Sequence, residues 1–267
     1  MDITFPQGTI TGYLISGVLA ILMTVVFVIV WKVKTKAKIF PMVIGAVTFV
    51  LFAEILKLIP VYPLVMADNA VSRAINSSPV LYYFTAALLA GIFEETGRLV
   101  AFRFVLKKYT ERRTALDYGM GHGGIEALIT SMTPISIASI GTAINSGMLD
   151  QILSAYPENQ QAKMMEQITE FASHSFGTAM LWIPERAAAI MIHLALSIIV
   201  FRAVRDKKPL LYFIAVLLHF AVDFGLVFSA EHFVATEIAL FAASLIMLIT
   251  AIRCVYRRMP EDAEVLA

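Results

Sequence analysis

Long runs of apolar residues, separated by short polar loops, constrain this chain more than any other feature of its sequence. A run of about 20 apolar residues is long enough to cross a bilayer as a helix. Of the 267 residues, 59% are hydrophobic and only 15% are charged, whereas soluble domains are about 25% charged. The sequence therefore predicts an all-α polytopic membrane protein with about seven to eight transmembrane helices. The runs lie near residues 10–31, 40–61, 81–106, 114–132, 176–201, 209–230 and 234–254.

The remaining segments indicate one integral-membrane domain over residues 1–267, because no internal repeat and no second domain is evident. The first apolar run is too long for a signal peptide, so we expect it to be a retained helix. The short hydrophobic piece 134–144 either extends the fourth helix past a proline kink or re-enters the membrane. Net charge is +1, which gives no indication of nucleic-acid binding, and the single cysteine, Cys254, excludes an internal disulfide and a cysteine metal cluster.

The distribution of basic residues predicts the orientation of the chain. Cytoplasmic loops of membrane proteins carry an excess of Lys and Arg. One set of loops holds fifteen of them and the opposite set holds only Arg73 and Lys163. We therefore expect the N-terminus outside, the C-terminus in the cytoplasm and a location in the bacterial plasma membrane. The fifteen are Lys32, Lys34, Lys36, Lys38, Lys107, Lys108, Arg112, Arg113, Arg202, Arg205, Lys207, Lys208, Arg253, Arg257 and Arg258.

Ten ionisable residues interrupt four of the apolar runs. A charge at the bilayer centre costs roughly 2.5–3.5 kcal/mol on insertion scales, so such residues are rare and usually functional. Counted at 1.5 Å per helical residue, most of them fall in one layer, between about 12 and 21 Å from the cytoplasmic helix ends. We expect them to face one another around a central polar site. They are Glu94, Glu95, Arg98, His122, Glu126, Glu185, Arg186, His193, His219 and Asp223.

Two of these runs combine carboxylates with a basic side chain at helical spacing. Glu94 and Arg98 are i,i+4 neighbours, and Glu95 and Arg98 are i,i+3 neighbours. The arginine is expected to hold one carboxylate while the other faces a water or a metal; the alternative is a buried ion pair that locks helices. His122 and Glu126 also share a face, among three glycines that let another helix or a substrate approach closely. A helix-packing seam is the structural alternative for this second motif.

The other two runs carry the remaining histidines. Arg186 and His193 are seven residues apart and therefore share a face, while Glu185 lies nearer the outer leaflet. For Glu185 and Arg186, a purely structural role is equally open. His219 and Asp223 share a face at i,i+4, so that the imidazole binds a metal while the carboxylate orients it, or both ligate. The alternative is again a structural pair. Outside these runs, we expect His174 and His232, at the outer boundaries, to be solvated.

Carboxylates and imidazoles in one layer suit hydrolytic chemistry. Zinc takes His nitrogens and Asp or Glu oxygens, and a catalytic zinc leaves one position for water. A carboxylate beside that water acts as general base. A metal-free mechanism also fits, in which Glu takes the proton of water and His side chains hold the water and the developing oxyanion. The residues alone leave both mechanisms open.

At these residues the chain resembles the YhfC-like family of intramembrane peptidases. That family is similar to the wider group of CAAX-prenyl endopeptidases, bacteriocin-immunity homologues and PrsW proteases. The resemblance covers about residues 80–230, the expected catalytic helical core, and lies in the Glu-Glu-x-x-Arg motif, the His122 or Glu126 helix and the late His-x-x-x-Asp. CAAX endopeptidases have one more residue between the glutamates and the arginine, and usually end the last motif in Asn, so a prenylated substrate does not follow.

The resemblance implies an intramembrane protease that cleaves a membrane-associated protein or peptide. It implies that Glu94 or Glu95 activates water and that Arg98 orients the glutamates. His193 and His219 would hold the metal or the oxyanion. His122 or Glu126 would complete the shell. Two other functions also fit the pattern: a proton- or cation-coupled transporter, since intramembrane acids and histidines also build ion relays, and a non-catalytic immunity or scaffold protein.

Overall fold

The computed structural model describes residues 3–261, and within that range all regular structure is helical. The hydrophobic runs form helices because a bilayer offers no partner for main-chain N–H and C=O groups, so each segment must satisfy its own. The helices are α1 (Gln7–Thr35), α2 (Ile39–Met66), α3 (Ala70–Asn76), α4 (Pro79–Val105), α5 (Arg113–Asn145), α6 (Leu149–Ser154), α7 (Glu158–Ser173), α8 (Phe176–Arg205), α9 (Pro209–Phe228) and α10 (Glu231–Arg258).

Six of these helices are long and apolar enough to cross a membrane, and the bent pair α3–α4 makes a seventh. The two helices of that pair meet at 107°. The predicted polytopic helical fold with about seven spans is therefore confirmed. The hydrophobic piece 134–144 belongs to α5, which runs on through Ser131 with helical main-chain angles (φ −65°, ψ −13°). The first of the two expectations for this piece is the one that the structure shows.

Glycines in α5 let this helix touch two neighbours at main-chain distance. A Cβ atom at Gly121 would overlap the main-chain carbonyl of Met42 on α2, and one at Gly45 would lie 2.9 Å from the main-chain nitrogen of His122. On the other side, a Cβ atom at Gly123 would lie 3.0 Å from Cβ of His193 on α8. Small residues of this kind allow the close helix approach that replaces the hydrophobic effect inside a membrane. The glycines thereby place the His122 helix between α2 and α8.

Helix α8 lies at the centre of the bundle. Its buried residues outnumber those of any other described span, and α4, α5, α9 and α10 all pack against it. Helix α4 packs along α9, where a Cβ atom at Gly91 would lie 3.0 Å from the main-chain oxygen of Val216. Three of the helices that carry the ionisable residues, α4, α5 and α9, therefore all pack against the fourth, α8.

One polar residue behaves differently from its predicted role. His174, expected to be solvated, is 8% exposed and lies between α7 and α8. Its Nδ1 atom is 2.5 Å from the hydroxyl of Tyr13 on α1, and burial lowers the pKa of its imidazole. The expectation was wrong because the sequence does not show that α1 covers this boundary. His232, in contrast, is exposed, as expected.

The α2–α5 contact generates a stability prediction. We expect Gly121→Leu to lower the free energy of unfolding by about 2 kcal/mol or more, because an inserted side chain must push α2 away. The melting temperature of the purified protein in detergent measures this. Gly8→Leu is the matched control, since no atom lies within 4 Å of a Cβ placed there. Equal melting temperatures for the two variants would contradict the proposed contact.

Candidate metal centre

The centre of the site is a buried ion pair on α4. Glu95 and Arg98 are fully buried, and the guanidinium donates to the Glu95 carboxylate. Glu94, one residue earlier on the same turn, is 5% exposed and faces neighbouring helices. The i,i+3 spacing predicted this contact, and neither side chain has any exposed surface. A buried pair of this kind costs desolvation free energy, which further hydrogen bonds must offset.

Those further bonds reach two histidines on other helices. The second guanidinium nitrogen of Arg98 donates to Nδ1 of His193 on α8. On α9, Nδ1 of His219 donates to Oε1 of Glu95 at 2.7 Å. The ion pair therefore connects α4 to both α8 and α9 and fixes the rotation of both imidazole rings.

These bonds also determine which ring nitrogen carries the proton. Arginine only donates, so Nδ1 of neutral His193 accepts and its Nε2 bears the hydrogen. That Nε2 atom is in direct contact with the carboxylate of Glu126. His219 has the opposite arrangement: Nδ1 donates to a carboxylate, which leaves Nε2 of the neutral ring with a free lone pair. Metal-ligating histidines almost always show this second arrangement.

Four residues from three helices form a group that could hold a metal ion. One ligand atom each from Glu94, His122, Glu126 and His193 lies within 4.8 Å of the other three. Nε2 of His122 is 3.1 Å from Oε2 of Glu94, close to the roughly 3.3 Å that separates two ligands bound tetrahedrally at 2.0–2.1 Å. Three of the four side chains are buried, and Glu126 is partly exposed.

His219 and Asp223 lie beside this group but are not members of it. Nε2 of His219 is 4.0 Å from Oε2 of Glu94 and 3.5 Å from Oδ2 of Asp223. The side chain of Asp223 is one-third exposed, because it lines an open cavity. The structure thus places this histidine between a carboxylate of the group and a second carboxylate outside it.

Glu185 and Arg186, in the first turns of α8, border the same region. Arg186 is paired with Glu185 and also donates to the hydroxyl of Thr130, which lies one turn after Glu126 on α5. A cavity of about 110 Å³ extends from this pair to the histidines. It is large enough for several water molecules, since one needs only about 10–15 Å³ of such space. Its polar lining is Glu94, Glu126, Glu185, Arg186, His193, His219 and Asp223.

Sequence reasoning missed two residues near the site. Tyr118 is fully buried one turn before His122, and its hydroxyl lies 3.5 Å from Nδ1 of that histidine. Glu237 on α10 is 6% exposed, and its Oε2 atom has no hydrogen-bond partner within the described structure. Glu237 could have been recognised from the sequence, because it interrupts the last apolar run in the same way as the ten candidate residues interrupt the earlier runs. Tyr118 gave no such signal, since a tyrosine in an apolar run is ordinary.

The donor chemistry of the group fits a metal ion. It supplies imidazole nitrogens and carboxylate oxygens, which are the ligands of catalytic zinc. Sulfur takes no part: Cys254 is exposed, in the last turns of α10. Two carboxylates and two imidazoles in hydrocarbon surroundings would otherwise have to pair only with one another, at the desolvation cost noted above.

The fold and the site together define a class: a polytopic helical membrane protein with a buried histidine–carboxylate centre. The sequence model of the family described as YhfC intramembrane metalloprotease matches residues 19–243. The chain is also 34% identical over 245 residues to the uncharacterized membrane protein YhfC of Bacillus subtilis (strain 168), which covers 89% of this chain and 93% of the relative. The chain therefore belongs to the YhfC family, as its motifs indicated. No solved structure matches it.

The buried ion pair generates a second stability prediction. Arg98→Met leaves Glu95 buried without its cation, so we expect the free energy of unfolding to fall by about 3–5 kcal/mol. The double variant Glu95→Gln with Arg98→Met removes both charges. We expect it to lose clearly less than the sum of the two single variants, as measured by thermal unfolding in detergent. Additive losses would show that the two side chains do not interact.

Proposed function

We propose that this chain is a metal-dependent intramembrane protease that hydrolyses a peptide bond of a membrane-associated protein or peptide. One observation carries the proposal: acids and imidazoles from separate spans meet beside a cavity that has room for water. The family description, intramembrane metalloprotease, supports a metal over the glutamate-only mechanism. A packing motif alone would not require a cavity beside its charges.

The proposed metal ligands are Glu94, His122 and His219. Both imidazoles approach the same oxygen, Oε2 of Glu94, at 3.1 and 4.0 Å. Tyr118 can accept from Nδ1 of His122 and so free its Nε2, and His219 already has a free Nε2. His193 is the competing third ligand, because it lies in the compact four-residue group. A zinc ion bound here would polarise the scissile carbonyl and make a water molecule a stronger nucleophile.

Glu126 is proposed to take the proton of the attacking water. It is the more exposed carboxylate of the group, 18% for the side chain against 7% for Glu94, and it lines the cavity. The Nε2–H of His193 holds its carboxylate in place, and Arg98 holds that histidine. Glu126 would then give the proton to the leaving amide nitrogen. This assigns the base to a residue that the sequence resemblance gave only a place in the shell.

The remaining residues are proposed to position these groups. Glu95 fixes His219, and Arg98 fixes both Glu95 and His193, so neither needs to touch the substrate. Asp223, whose Oδ2 lies 3.5 Å from Nε2 of His219, would supply a further carboxylate beside the metal ion held by that nitrogen. Glu185 and Arg186 would shape the outer end of the cavity. We assign the whole of residues 1–267 to one membrane domain, with residues 80–230 as its catalytic helical core.

Metal analysis of the purified protein tests the ligand assignment. We expect about one zinc per chain in the wild type, loss of zinc in His122→Ala and His219→Ala, and retention in His193→Ala. Loss in His193→Ala with retention in His219→Ala would instead assign the compact four-residue group as the ligand set. Protein that is free of metal, and active in the presence of a chelator, would favour the glutamate-only mechanism.

Substitution of the proposed base tests the chemistry. We expect Glu126→Gln to retain zinc but to lose cleavage by a factor of about 10² to 10⁴, because general-base catalysis contributes about that much. Terminal-peptide mass spectrometry of membranes from cells that express wild type or Glu126→Gln would reveal the cleaved proteins. Identical termini in both membranes would contradict proteolysis. Ion flux in proteoliposomes that depends on His219 would assign transport in its place.

Thiol labelling tests the proposed orientation in the plasma membrane. In a Cys254→Ser background, we expect a membrane-impermeant maleimide added to intact cells to label Asp68→Cys, in the exposed turn before α3, but not Lys108→Cys, between α4 and α5. The reason is the excess of basic residues beside position 108. Permeabilised cells, in which both positions should react, are the control. The reverse pattern would invert the proposed topology.

A further inference from the structure

A second, much larger cavity lies outside the polar site. It is an apolar groove of about 920 Å³ between α9 and α10, with Ile199 of α8 at its floor. Both α9 and α10 pack on α8, and the groove separates them from each other along their length. Several residues that line it on α10, including Ala235 and Ala239, are exposed. The groove is therefore open toward the lipid.

The length of the groove matches the thickness of a membrane. On α9 its lining runs from Leu211 to Phe228, which is about 26 Å at 1.5 Å per residue. The hydrocarbon core of a bilayer is about 30 Å thick. An acyl chain from one leaflet covers only about half of that distance. A transmembrane helix covers all of it.

The walls of the groove carry small side chains where a helix would approach. Ala235, Ala239 and Ala243 follow one another at i, i+4 and i+8, so they share a face of α10, and Ala221 and Gly225 line the opposite wall on α9. Small residues of this kind allow two helices to pack closely inside a membrane. The groove thus offers packing for a third helix between α9 and α10.

The groove is continuous with the polar cavity. Val222, Leu226 and Leu240 line both of them. Asp223, which faces the polar cavity, is the next residue after Val222 on α9. A segment lying in the groove is therefore separated from the carboxylates and imidazoles only by these three apolar side chains.

The chain joins the two walls at one end of the groove. Helix α9 ends in a 3-10 turn, Gly225–Phe228, and the chain then bends at His232, whose main-chain angles (φ −139°, ψ 48°) are not helical. Irregular main chain of this kind is where hinge movements are absorbed. The walls can therefore separate without unfolding either helix.

We propose that the α9–α10 groove is the docking surface for a transmembrane helix of the protein substrate, which enters sideways from the lipid. This inference rests on the proposed protease function and specifies its substrate class: the scissile bond belongs to a membrane-spanning segment or to the residues at its end. The boundary between the groove and the polar cavity is formed by three apolar side chains, Val222, Leu226 and Leu240. A local unwinding of the docked helix would present its peptide bond to the water in the polar cavity.

Photo-crosslinking tests the docking surface independently of catalysis. A benzophenone side chain is placed at Ala239, in the groove, or at Ala242, which is exposed on α10 but outside the groove. Both proteins carry Glu126→Gln and are reconstituted in phosphatidylcholine vesicles with a biotinylated 24-residue Leu/Ala transmembrane peptide. We expect at least about fivefold more peptide adduct at 239, corresponding to about 1 kcal/mol of preference. Equal labelling of the peptide, or phospholipid adducts alone at 239, would overturn the proposal.

A blocking variant tests whether the groove serves catalysis. We expect Ala239→Trp to reduce the cleavage of membrane proteins at least about tenfold, which is about 1.4 kcal/mol, while Ala242→Trp leaves it unchanged. Zinc content and melting temperature should be the same in both. Full cleavage by Ala239→Trp would show that the groove takes no part in the reaction. If the wild type cleaves nothing, the protease proposal fails, while the crosslinking result still decides whether the groove binds a transmembrane helix.

Discussion

The buried Glu95–Arg98 pair is the interaction on which the rest of the site depends. Neither side chain reaches water, so each must be satisfied by groups on other helices. Arg98 finds one such partner in His193 on α8, and Glu95 finds one in His219 on α9. The same bonds select opposite tautomers for the two histidines. Nε2 of His193 becomes a donor that faces Glu126, and Nε2 of His219 keeps a free lone pair beside Glu94.

Close helix packing then brings the second half of the site into reach. The glycines of α5 let its main chain contact α2 on one side and α8 on the other, which places His122 and Glu126 against residues of α4 and α8. A bulkier α5 would hold these helices several ångströms further apart. Polar attraction alone is weak inside a membrane, because unfolded or unassembled segments also find partners. Close packing of the helices sets the distances between the side chains of the site, and the ion pair sets the rotation of the His193 and His219 rings.

The amino-acid sequence was sufficient to predict the fold class, the family and the set of candidate site residues. Charged and polar residues are rare in membrane-spanning segments, so each of them can be recognised in the sequence. It could not assign which nitrogen of His193 or His219 carries a proton, since that depends on an arginine and a glutamate on another helix. It also could not reveal the α9–α10 groove, which consists of ordinary apolar residues and is defined only by the separation of two helices. The burial of His174 could not be predicted either, because its partner, Tyr13, is 161 residues away in the sequence.

The central claim is that imidazoles and carboxylates of these helices bind one zinc ion, and X-ray absorption at the zinc edge of the purified protein tests it most directly. The account predicts nitrogen and oxygen ligands at about 2.0–2.1 Å. It also predicts the multiple-scattering signature of two imidazoles, which should persist in His193→Ala, the variant expected to retain zinc. Sulfur scattering at about 2.3 Å would contradict it, as would a zinc shell that is unchanged when His122 and His219 are both replaced by alanine.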